Sequence, residues 1–326
     1  MLYPIKCKPV YREKIWGGNK FYTVLHREEC REMTQCGESW EISGFDEEPS
    51  VVSNGFLAGN TLNELVEIYM GDLVGEKVFR KYGNAFPLLV KFIDAREDLS
   101  VQVHPDDAMA ERLGEFNGKT EMWHVIQADD GARINVGFNR RLNRDELQRI
   151  LEEERLEPVL DFHPAHAGST FYIPAGTVHA IGGGVLLAEI QQLSDVTYRL
   201  YDYNRRDAEG NLRELHTEEA LAAIDYSGGN GGDVRYIPQK NSSVELVNSP
   251  YFVTRYIDFD RPVEKIYVPM DSFVLYICVA GCAEIRWNGG ESETICIGET
   301  LLVPACVEEA VLVPVGSCRL LEVYMP

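Results

Sequence analysis

The chain of 326 residues has no apolar run that approaches the roughly 18 residues needed to span a bilayer. Its first residues, Met1-Leu2-Tyr3-Pro4, show neither the basic start nor the apolar stretch of an export signal. These two absences argue against a membrane protein and against an exported one. We therefore expect a cytoplasmic protein without a membrane partner.

Basic residues are scarce in this sequence. It has 31 lysines and arginines but 52 aspartates and glutamates, which gives a formal net charge of −21. Such an acidic surface repels nucleic acid and anionic lipid at long range, so no nucleic-acid partner is expected. An anionic substrate needs a small basic patch of its own, which remains possible because salt screens charges beyond about 8–10 Å.

Closely spaced cysteine pairs are also missing. None of the eight cysteines forms a Cys-x-x-Cys motif. A chain of this length does not need disulfides to be stable, since it can bury a large core. The sequence therefore predicts buried free thiols rather than disulfide bonds or a cysteine metal site.

Three segments carry helical signals: 61–82, 143–156 and 216–224. The first begins at Thr61 and has Glu64 three residues later, the spacing of a capping box. The second begins at Asn143, and the third is predicted to be capped by Thr217. In the two longer segments apolar residues recur at helical spacing, which predicts one buried face for each helix.

Most of the remaining sequence consists of short β-branched and aromatic runs separated by glycine, proline and aspartate. The predicted strands are Pro87–Ile93, Ser100–His104, Met122–Gln127, Thr170–Ile173, Val185–Ile190, Phe252–Phe259, Phe273–Val279 and Val311–Pro314. Short strands at this even spacing favour a sandwich or barrel over an alternating βαβ arrangement.

A glycine-rich segment, Ser227–Asp233, is the best candidate for a domain boundary. Its composition is that of a flexible linker, which divides the chain into residues 1–232 and 233–326. The alternative is an ordinary surface loop within a single domain.

An internal repeat favours two related domains. Gly168–Ala175 resembles Gly298–Ala305, and each copy follows a similar strand, turn and strand, at 124–134 and 275–285. Two matches in the same order indicate duplication of a β-barrel unit.

Histidine distinguishes the two copies. His179 lies five residues beyond Pro174, whereas the equivalent place after Pro304 is Glu309. No histidine follows His216. We therefore predict that the first unit carries the chemistry and that the second is structural.

The segment from Leu99 to Pro105 has the alternation of a strand with one polar face. Ser100, Gln102 and His104 share one side, while Val101 and Val103 pack on the other. Polar groups that face a barrel interior must be hydrogen-bonded or bound to a metal, because unpaired burial is costly. Taken alone, the segment slightly favours an edge strand whose polar face meets water.

Two further segments add metal-binding side chains. Lys119 and Glu121 share a face if their segment is extended, and His179 follows a tight turn. Imidazole nitrogen and carboxylate oxygen are typical zinc ligands. Gln102 would be an unusual neutral ligand in such a set.

Several motifs, taken together, resemble the type I mannose-6-phosphate isomerases, especially their short bacterial form. The motifs are Ile15-Trp-Gly-Gly18, Gly37–Ile42, Ser100-Val-Gln-Val-His-Pro105, Gly118-Lys-Thr-Glu121, Tyr172–His179 and Glu189–Arg199. They follow in order through the first two-thirds of the chain.

This resemblance implies a mainly β fold of two cupin, or jelly-roll, barrels, with a few helices packed on the N-terminal catalytic domain. The catalytic unit would be residues 1–232, and residues 233–326 would form a degenerate barrel without metal ligands. It implies one zinc ion per chain, bound by Gln102, His104, Glu121 and His179. It also implies a catalytic arginine at Arg199.

The implied reaction interconverts mannose 6-phosphate and fructose 6-phosphate by proton transfer through an enediol. Zinc and Arg199 are expected to stabilise the negative charge that develops on oxygen. Lys119 is a candidate proton carrier, and its alternative role is to bind phosphate. Ser100 and Arg12 are further candidates for phosphate binding. The partner is thus a phosphorylated hexose, and the protein is expected to be a monomer or homodimer.

Two other functions remain open at this point. An iron-dependent cupin oxygenase also uses two histidines and a carboxylate, although Lys119 and Arg199 would then lack an obvious purpose. A non-catalytic sugar-binding cupin is the second alternative, since this fold serves many functions.

Overall fold

The computed structural model describes residues 2–206, 210–228 and 231–326. Residues 229–230 of the predicted linker lie outside the described residues. Within these ranges the helices are α1 (Lys20–Thr23), α2 (Leu62–Tyr69), α3 (Gly71–Val74), α4 (Glu76–Tyr82), α5 (Asp107–Leu113), α6 (Arg144–Glu152) and α7 (Thr217–Ala223), with 3₁₀ turns at Glu28–Cys30 and Glu157–Val159.

Strands dominate the same ranges, as the sequence predicts. In the first part of the chain they are β1 (Cys7–Lys8), β2 (Val10–Gly18), β3 (Cys36–Ile42), β4 (Val51–Val52), β5 (Leu88–Ala95), β6 (Val101–Val103), β7 (Glu121–Ala128), β8 (Arg133–Phe138), β9 (Leu160–Pro164), β10 (Thr170–Ile173), β11 (His179–Ile181), β12 (Val185–Gln192) and β13 (Tyr198–Tyr201). The remaining strands are β14 (Gly232–Asp233), β15 (Ser243–Asn248), β16 (Val253–Phe259), β17 (Val263–Ile266), β18 (Val274–Trp287), β19 (Glu291–Cys296), β20 (Thr300–Val303) and β21 (Glu309–Tyr324).

The strands form antiparallel sheets, which confirms the mainly β prediction. A seven-stranded sheet has the order β14-β10-β7-β12-β5-β2-β3, and a five-stranded sheet has the order β13-β6-β11-β8-β9. The second half builds its own sheet, β15-β16-β21-β18-β19, with β17 beside β21 and β20 beside β18. Among the described residues no sheet closes on itself.

Two hydrophobic clusters explain how the halves are arranged. One lies between the seven-stranded and five-stranded sheets and includes Trp123, Ile134 and Phe171. A larger cluster joins α2 to the outer face of the first sheet and to residues of the second half such as Phe273. The division at 232/233 stays a prediction. No helix among the described residues is long and apolar enough to cross a membrane.

The helix predicted over 61–82 is wrong as a single element, although its start is right. The capping box forms as predicted, because the Thr61 side chain accepts a hydrogen bond from the Glu64 amide and Glu64 binds back to Thr61. The chain then breaks at Met70 (φ 48°) and Gly75 (φ 96°), which divides the segment into α2, α3 and α4. Both residues leave the helical region, so the apolar pattern continues across three helices rather than one.

Gly75 ties this region to the second half, and its replacement is expected to be costly. A Cβ atom at residue 75 would lie 2.2 Å from the carbonyl oxygen of Asp271, in a backbone conformation that only glycine adopts easily. We expect Gly75→Ala to lower the free energy of unfolding by about 3 kcal/mol. Gly114→Ala is the matched control, since residue 114 is left-handed but meets no atom within 4 Å, and it should cost about 1 kcal/mol. Denaturant titration measures both, and equal losses would contradict this account.

The other two predicted helices form with shorter bounds. α6 has the capping box of Asn143 and Glu146. In α7 the predicted cap is wrong: the N-cap residue is His216, whose side chain makes no capping hydrogen bond. Instead, His216 Nδ1 accepts a hydrogen bond from the Arg199 amide at 3.2 Å.

The prediction that all cysteines are free is wrong in one place. Cys282 and Cys296 are disulfide-bonded, because the hairpin of β18 and β19 sets them directly opposite each other. Their separation of 14 residues gives no recognisable motif in the sequence. The other six are free, and of these Cys306 is exposed rather than buried.

Candidate active site

Strand β6 lies inside its sheet and carries the first polar side chains of the site. It pairs with β11 on one side and β13 on the other, which sets Gln102 opposite both His179 and Arg199. Val101 and Val103 are fully buried on the reverse face. The edge-strand alternative is therefore wrong, and strand pairing alone brings three of the predicted residues together.

Strand β7 supplies the carboxylate. Glu121 opens this strand, between β10 and β12 of the seven-stranded sheet. Lys119 lies just before the strand, where its amide donates to the Pro105 carbonyl at 3.0 Å. That hydrogen bond connects the Lys119 segment to the end of the segment that carries His104.

The predicted ligands converge on one point. The ligand atoms of His104, Glu121 and His179 all lie within 4.8 Å of one another, and all three side chains are buried. His104 Nε2 is 3.2 Å from Glu121 Oε1, and His179 Nε2 is 3.7 Å from Glu121 Oε2. Gln102 Nε2 is 3.3 Å from His179 Nε2.

Backbone carbonyls fix how the two histidines point. His104 Nδ1 donates to the carbonyl oxygen of Val196 at 2.9 Å, and His179 Nδ1 donates to that of Thr177 at 2.8 Å. Each Nδ1 therefore carries the proton, and each Nε2 presents its lone pair toward Glu121. This is the arrangement by which proteins orient metal-binding imidazoles.

Three atoms at this point make no hydrogen bond. His104 Nε2 and both carboxylate oxygens of Glu121 are buried, yet none makes a hydrogen bond within the part of the chain that the structure describes. Unsatisfied buried polar atoms are costly and need an explanation. Two imidazole lone pairs, a carboxylate and a side-chain amide are a donor set that fits Zn²⁺ or a similar divalent ion.

The protonation states of His104, His179 and Glu121 also suit the binding of a cation. Burial and the charge of Lys119 lower the pKa of His104 to about 3, and burial lowers the pKa of His179. Burial alone would raise the pKa of Glu121, but the neighbouring Lys119 ammonium, 3.1 Å away, holds it well below its ordinary value. Neutral imidazoles and an ionised carboxylate are the forms that bind metal.

A cavity of about 370 Å³ opens above this cluster. It brings together six of the residues singled out from the sequence, Arg12, Ser100, Gln102, Lys119, Glu121 and Arg199. His104 and His179 lie buried next to Glu121 and do not line it. Six basic and four acidic side chains surround the cavity, so it is a local basic patch on an acidic protein.

Arg199 is held at the cavity wall by its backbone and side chain. Its amide donates to His216 Nδ1, and Nη1 donates to the Glu214 carbonyl at 2.7 Å. Its Nε is buried and makes no hydrogen bond with any described residue. Burial lowers the pKa of Arg199, and the charge of nearby Arg213 lowers it further.

Sequence reasoning missed a second buried charge pair beneath the cavity. Lys91 Nζ lies 2.8 Å from Glu189 Oε1, and Trp123 Nε1 donates to Glu189 Oε2 at 2.8 Å. Pairing across four strands aligns Trp40, Lys91, Glu189 and Trp123 in one row. The signal in the sequence is a lone lysine inside the apolar strand β5.

Arg12 lies at the far wall of the cavity and already has partners. Its guanidinium forms an ion pair with Glu48 and lies 4.1 Å from the centre of the Trp40 ring. Ser100 is buried at the cavity surface. Arg12 and Ser100 therefore line the same cavity as Glu121. Arg12 is already engaged with Glu48 and Trp40.

An antiparallel β fold with a buried histidine and carboxylate cluster under a polar cavity defines a cupin-type protein. The profile of the family described as phosphomannose isomerase type I, catalytic domain, matches residues 2–123. The chain is 42% identical over 231 residues to mannose-6-phosphate isomerase ManA of Bacillus subtilis, which covers 68% of each chain. The chain therefore belongs to the type I phosphomannose isomerase family and is an enzyme of the isomerase class.

Solved structures of similar proteins match this chain over 99% of its length. The crystal structure of the mannose 6-phosphate isomerase from Bacillus subtilis superimposes with a TM-score of 0.85 at 32% identity, covering 99% of both chains. A zinc-bound mannose 6-phosphate isomerase has the same fold, with a TM-score of 0.79, 15% identity and 99% coverage of both chains. The fold predicted from the motifs is thereby confirmed.

Proposed function

We propose that this enzyme interconverts mannose 6-phosphate and fructose 6-phosphate, with one zinc ion bound by Gln102, His104, Glu121 and His179. The names of its relatives support the substrate, and one similar structure is described as zinc-bound. The observation that carries the proposal is the group of buried atoms on His104 and Glu121 that make no hydrogen bond with any described residue, next to a basic cavity that Glu121 lines.

Zinc bound there would act as a Lewis acid and lower the energy of negative charge on a substrate oxygen. Gln102 would join the set by presenting its amide oxygen, which requires only a flip of the side-chain amide. The amide now donates to His179 Nε2, so that hydrogen bond is exchanged for metal binding.

Arg199 is proposed to stabilise the same negative charge. Its side chain lines the cavity, stays protonated at neutral pH and keeps an unpartnered Nε. Because Glu214 and His216 already hold its Nη1 and its backbone, the guanidinium is in place before substrate arrives. Preorganised charge of this kind costs no rearrangement during the reaction.

Lys119 is the better candidate for moving the proton between carbon 1 and carbon 2. Its Nζ contacts only Glu121, at 3.1 Å, and Thr197 Oγ1, at 3.5 Å, among the described residues. His104 has both ring nitrogens engaged in this proposal, Nδ1 with the Val196 carbonyl and Nε2 with the metal. A proton carrier needs a free position, so His104 is less suitable.

The phosphate group is proposed to bind Ser100 and Arg12. Arg12 becomes available only when Glu48 leaves it, since their ion pair already compensates its charge. A dianionic phosphate competes well for a guanidinium, which it binds through two parallel hydrogen bonds. Lys119 stays the alternative contact for the phosphate.

The proposal predicts a metal-dependent activity. Purified protein is expected to convert mannose 6-phosphate to fructose 6-phosphate in a coupled assay, to lose that activity on chelation and to regain it with zinc. The reason is that, within the described residues, neither His104 Nε2 nor the Glu121 carboxylate makes a hydrogen bond that could replace the metal. Activity restored by iron but not zinc would contradict the metal assignment, and activity unaffected by thorough chelation would contradict the whole proposal.

A further inference from the structure

A second cavity, of about 360 Å³, lies on the opposite face of strand β7 from the active site. Glu121 lines the first cavity, and Trp123 lies on the same face of β7 with its ring against His179. His124, one residue on, lines the second cavity on the other face. The far side of this second cavity is formed by Tyr256, Asp258 and Arg319. We name it the rear cavity; it belongs to no step of the proposed reaction.

His124 presents an unused acceptor to the rear cavity. The side chain is only 2% exposed, and its Nδ1 bonds to Thr170 Oγ1 at 2.9 Å. The Thr170 hydroxyl donates to the Gly168 carbonyl, so it accepts from Nδ1 and leaves the lone pair on His124 Nε2. That nitrogen has no hydrogen-bond partner among residues 2–206, 210–228 and 231–326. Burial and the charge of Arg319 lower the pKa of His124 to about 4, so the ring is neutral at pH 7.

Aromatic rings form one wall of the rear cavity. The ring of Tyr256 lies 5.5 Å from that of His124 and 5.5 Å from that of Tyr236, measured between centroids. Tyr236 is fixed in place, because its hydroxyl donates to the Gly168 carbonyl at 2.9 Å. The Tyr256 hydroxyl has no such partner in the described part of the chain. The wall therefore combines ring surface with free polar atoms, as small-molecule sites do.

The same side of the cavity also carries incompletely paired charge. Asp258 accepts a hydrogen bond from Lys240 at 2.7 Å, whereas its other oxygen is 3.9 Å from Arg319 Nε, too far for a hydrogen bond. The guanidinium of Arg319 thus keeps its donors. Lys240 does not line the cavity, so within the lining Arg319 is a cation without a hydrogen-bonded carboxylate, next to the aromatic wall.

From this combination we infer that the rear cavity binds a small anionic monosaccharide, with its anionic group on Arg319 and its hydroxyl groups on His124 and Asp258. The free acceptor atoms favour a ligand with several O–H groups. The tyrosine rings favour a ligand with a compact ring, and the Arg319 guanidinium favours one with a single negative group. The inference does not depend on the proposed activity.

Glucose 1-phosphate is a suitable probe, because its anomeric carbon is blocked and it cannot isomerise. We would titrate it by calorimetry into the protein with its metal, in the wild type and in Arg12→Ala, which removes a proposed phosphate contact of the first cavity, and expect equal binding in both. Arg319→Gln is expected to weaken binding by about tenfold, since a charge-assisted contact is lost. Ala167→Trp, at an exposed residue on the cavity rim, is expected to abolish binding by filling the space.

Arg286→Gln is the matched control, because the Arg286 side chain is 52% exposed and that of Arg319 is 54% exposed. It should leave the affinity unchanged. Absence of any binding, or equal affinity in wild type, Arg319→Gln and Ala167→Trp, would overturn the inference. Binding that disappears in Arg12→Ala would also overturn it, since the probe would then occupy the first cavity.

Discussion

Replacing Glu121 with glutamine is expected to weaken metal binding by at least about a hundredfold and to lower turnover as the metal is lost. Glu121 is the carboxylate among the proposed metal ligands His104, Glu121 and His179. Its two oxygens are buried and make no hydrogen bonds among the described residues. Loss of a residue that only orients a metal ligand already costs about ten- to a hundredfold in affinity, so loss of the charged ligand itself costs at least that. Glutamine keeps the shape and removes the charge.

A second effect of the same change acts on Lys119. Its ammonium lies 3.1 Å from Glu121 and is 6% exposed. Without the carboxylate, a buried positive charge would stand beside a bound cation, which opposes metal binding further. Metal content by mass spectrometry and initial rates in the coupled assay measure the two losses separately.

The control for Glu121→Gln is Glu97→Gln. Glu97 is an exposed carboxylate that pairs with Arg96 at the surface, and its replacement should leave metal content and turnover unchanged. If Glu121→Gln retained a full complement of zinc, the assignment of this cluster as the metal site would be wrong. If it kept the metal and lost only turnover, Glu121 would have a chemical role instead of a binding one.

The convergence of His104, Glu121 and His179 was predictable because the sequence signals that place these residues are local. Strand alternation places Gln102 on the face opposite Val101 and Val103, and the motifs that carry the resemblance contain all four proposed ligands. Pairing of β6 with β11 then brings His179 to Gln102. What the sequence does not contain is the distance between the strands, which the sheet supplies.

The contacts of Arg199 were not predictable in the same way. His216 has no ligand-like neighbour in the sequence, yet its Nδ1 accepts the Arg199 amide because α7 packs against β13. The Lys91 and Glu189 pair was missed for a similar reason. These residues are 98 positions apart in the sequence numbering, and only the pairing of β5 with β12 sets them opposite each other.

Where a local sequence pattern gave a wrong prediction, a tertiary contact determined the structure. The helical spacing across 61–82 is real, but Asp271 accepts hydrogen bonds from the amides of Glu76 and Lys77 and so starts a new helix at that point. Likewise, Cys282 and Cys296 meet because of hairpin register. Such outcomes depend on residues from elsewhere in the chain, which periodicity cannot reveal.

Arg199→Ala is expected to lower kcat by about 10²- to 10³-fold while changing KM little. The proposed role of the guanidinium is to stabilise charge that exists in the transition state and is much weaker in the bound sugar. Removal of a donor of that kind therefore affects turnover more than substrate binding. Steady-state kinetics with mannose 6-phosphate give kcat and KM separately, and exchange of the carbon-2 hydrogen with solvent reports the proton transfer itself.

The comparison that isolates this effect uses Arg199→Lys and Arg144→Ala. Lysine retains the positive charge but not the planar donors, so Arg199→Lys should recover only part of the loss. Arg144 is an exposed helix residue paired with Glu218, and its replacement should leave kcat unchanged. If Arg199→Ala raised KM by the full factor and left kcat intact, Arg199 would bind the phosphate or the sugar in both states. The charge on the intermediate would then be held by the metal alone, and the fixed hydrogen bonds from Arg199 to Glu214 and His216 would serve to position substrate.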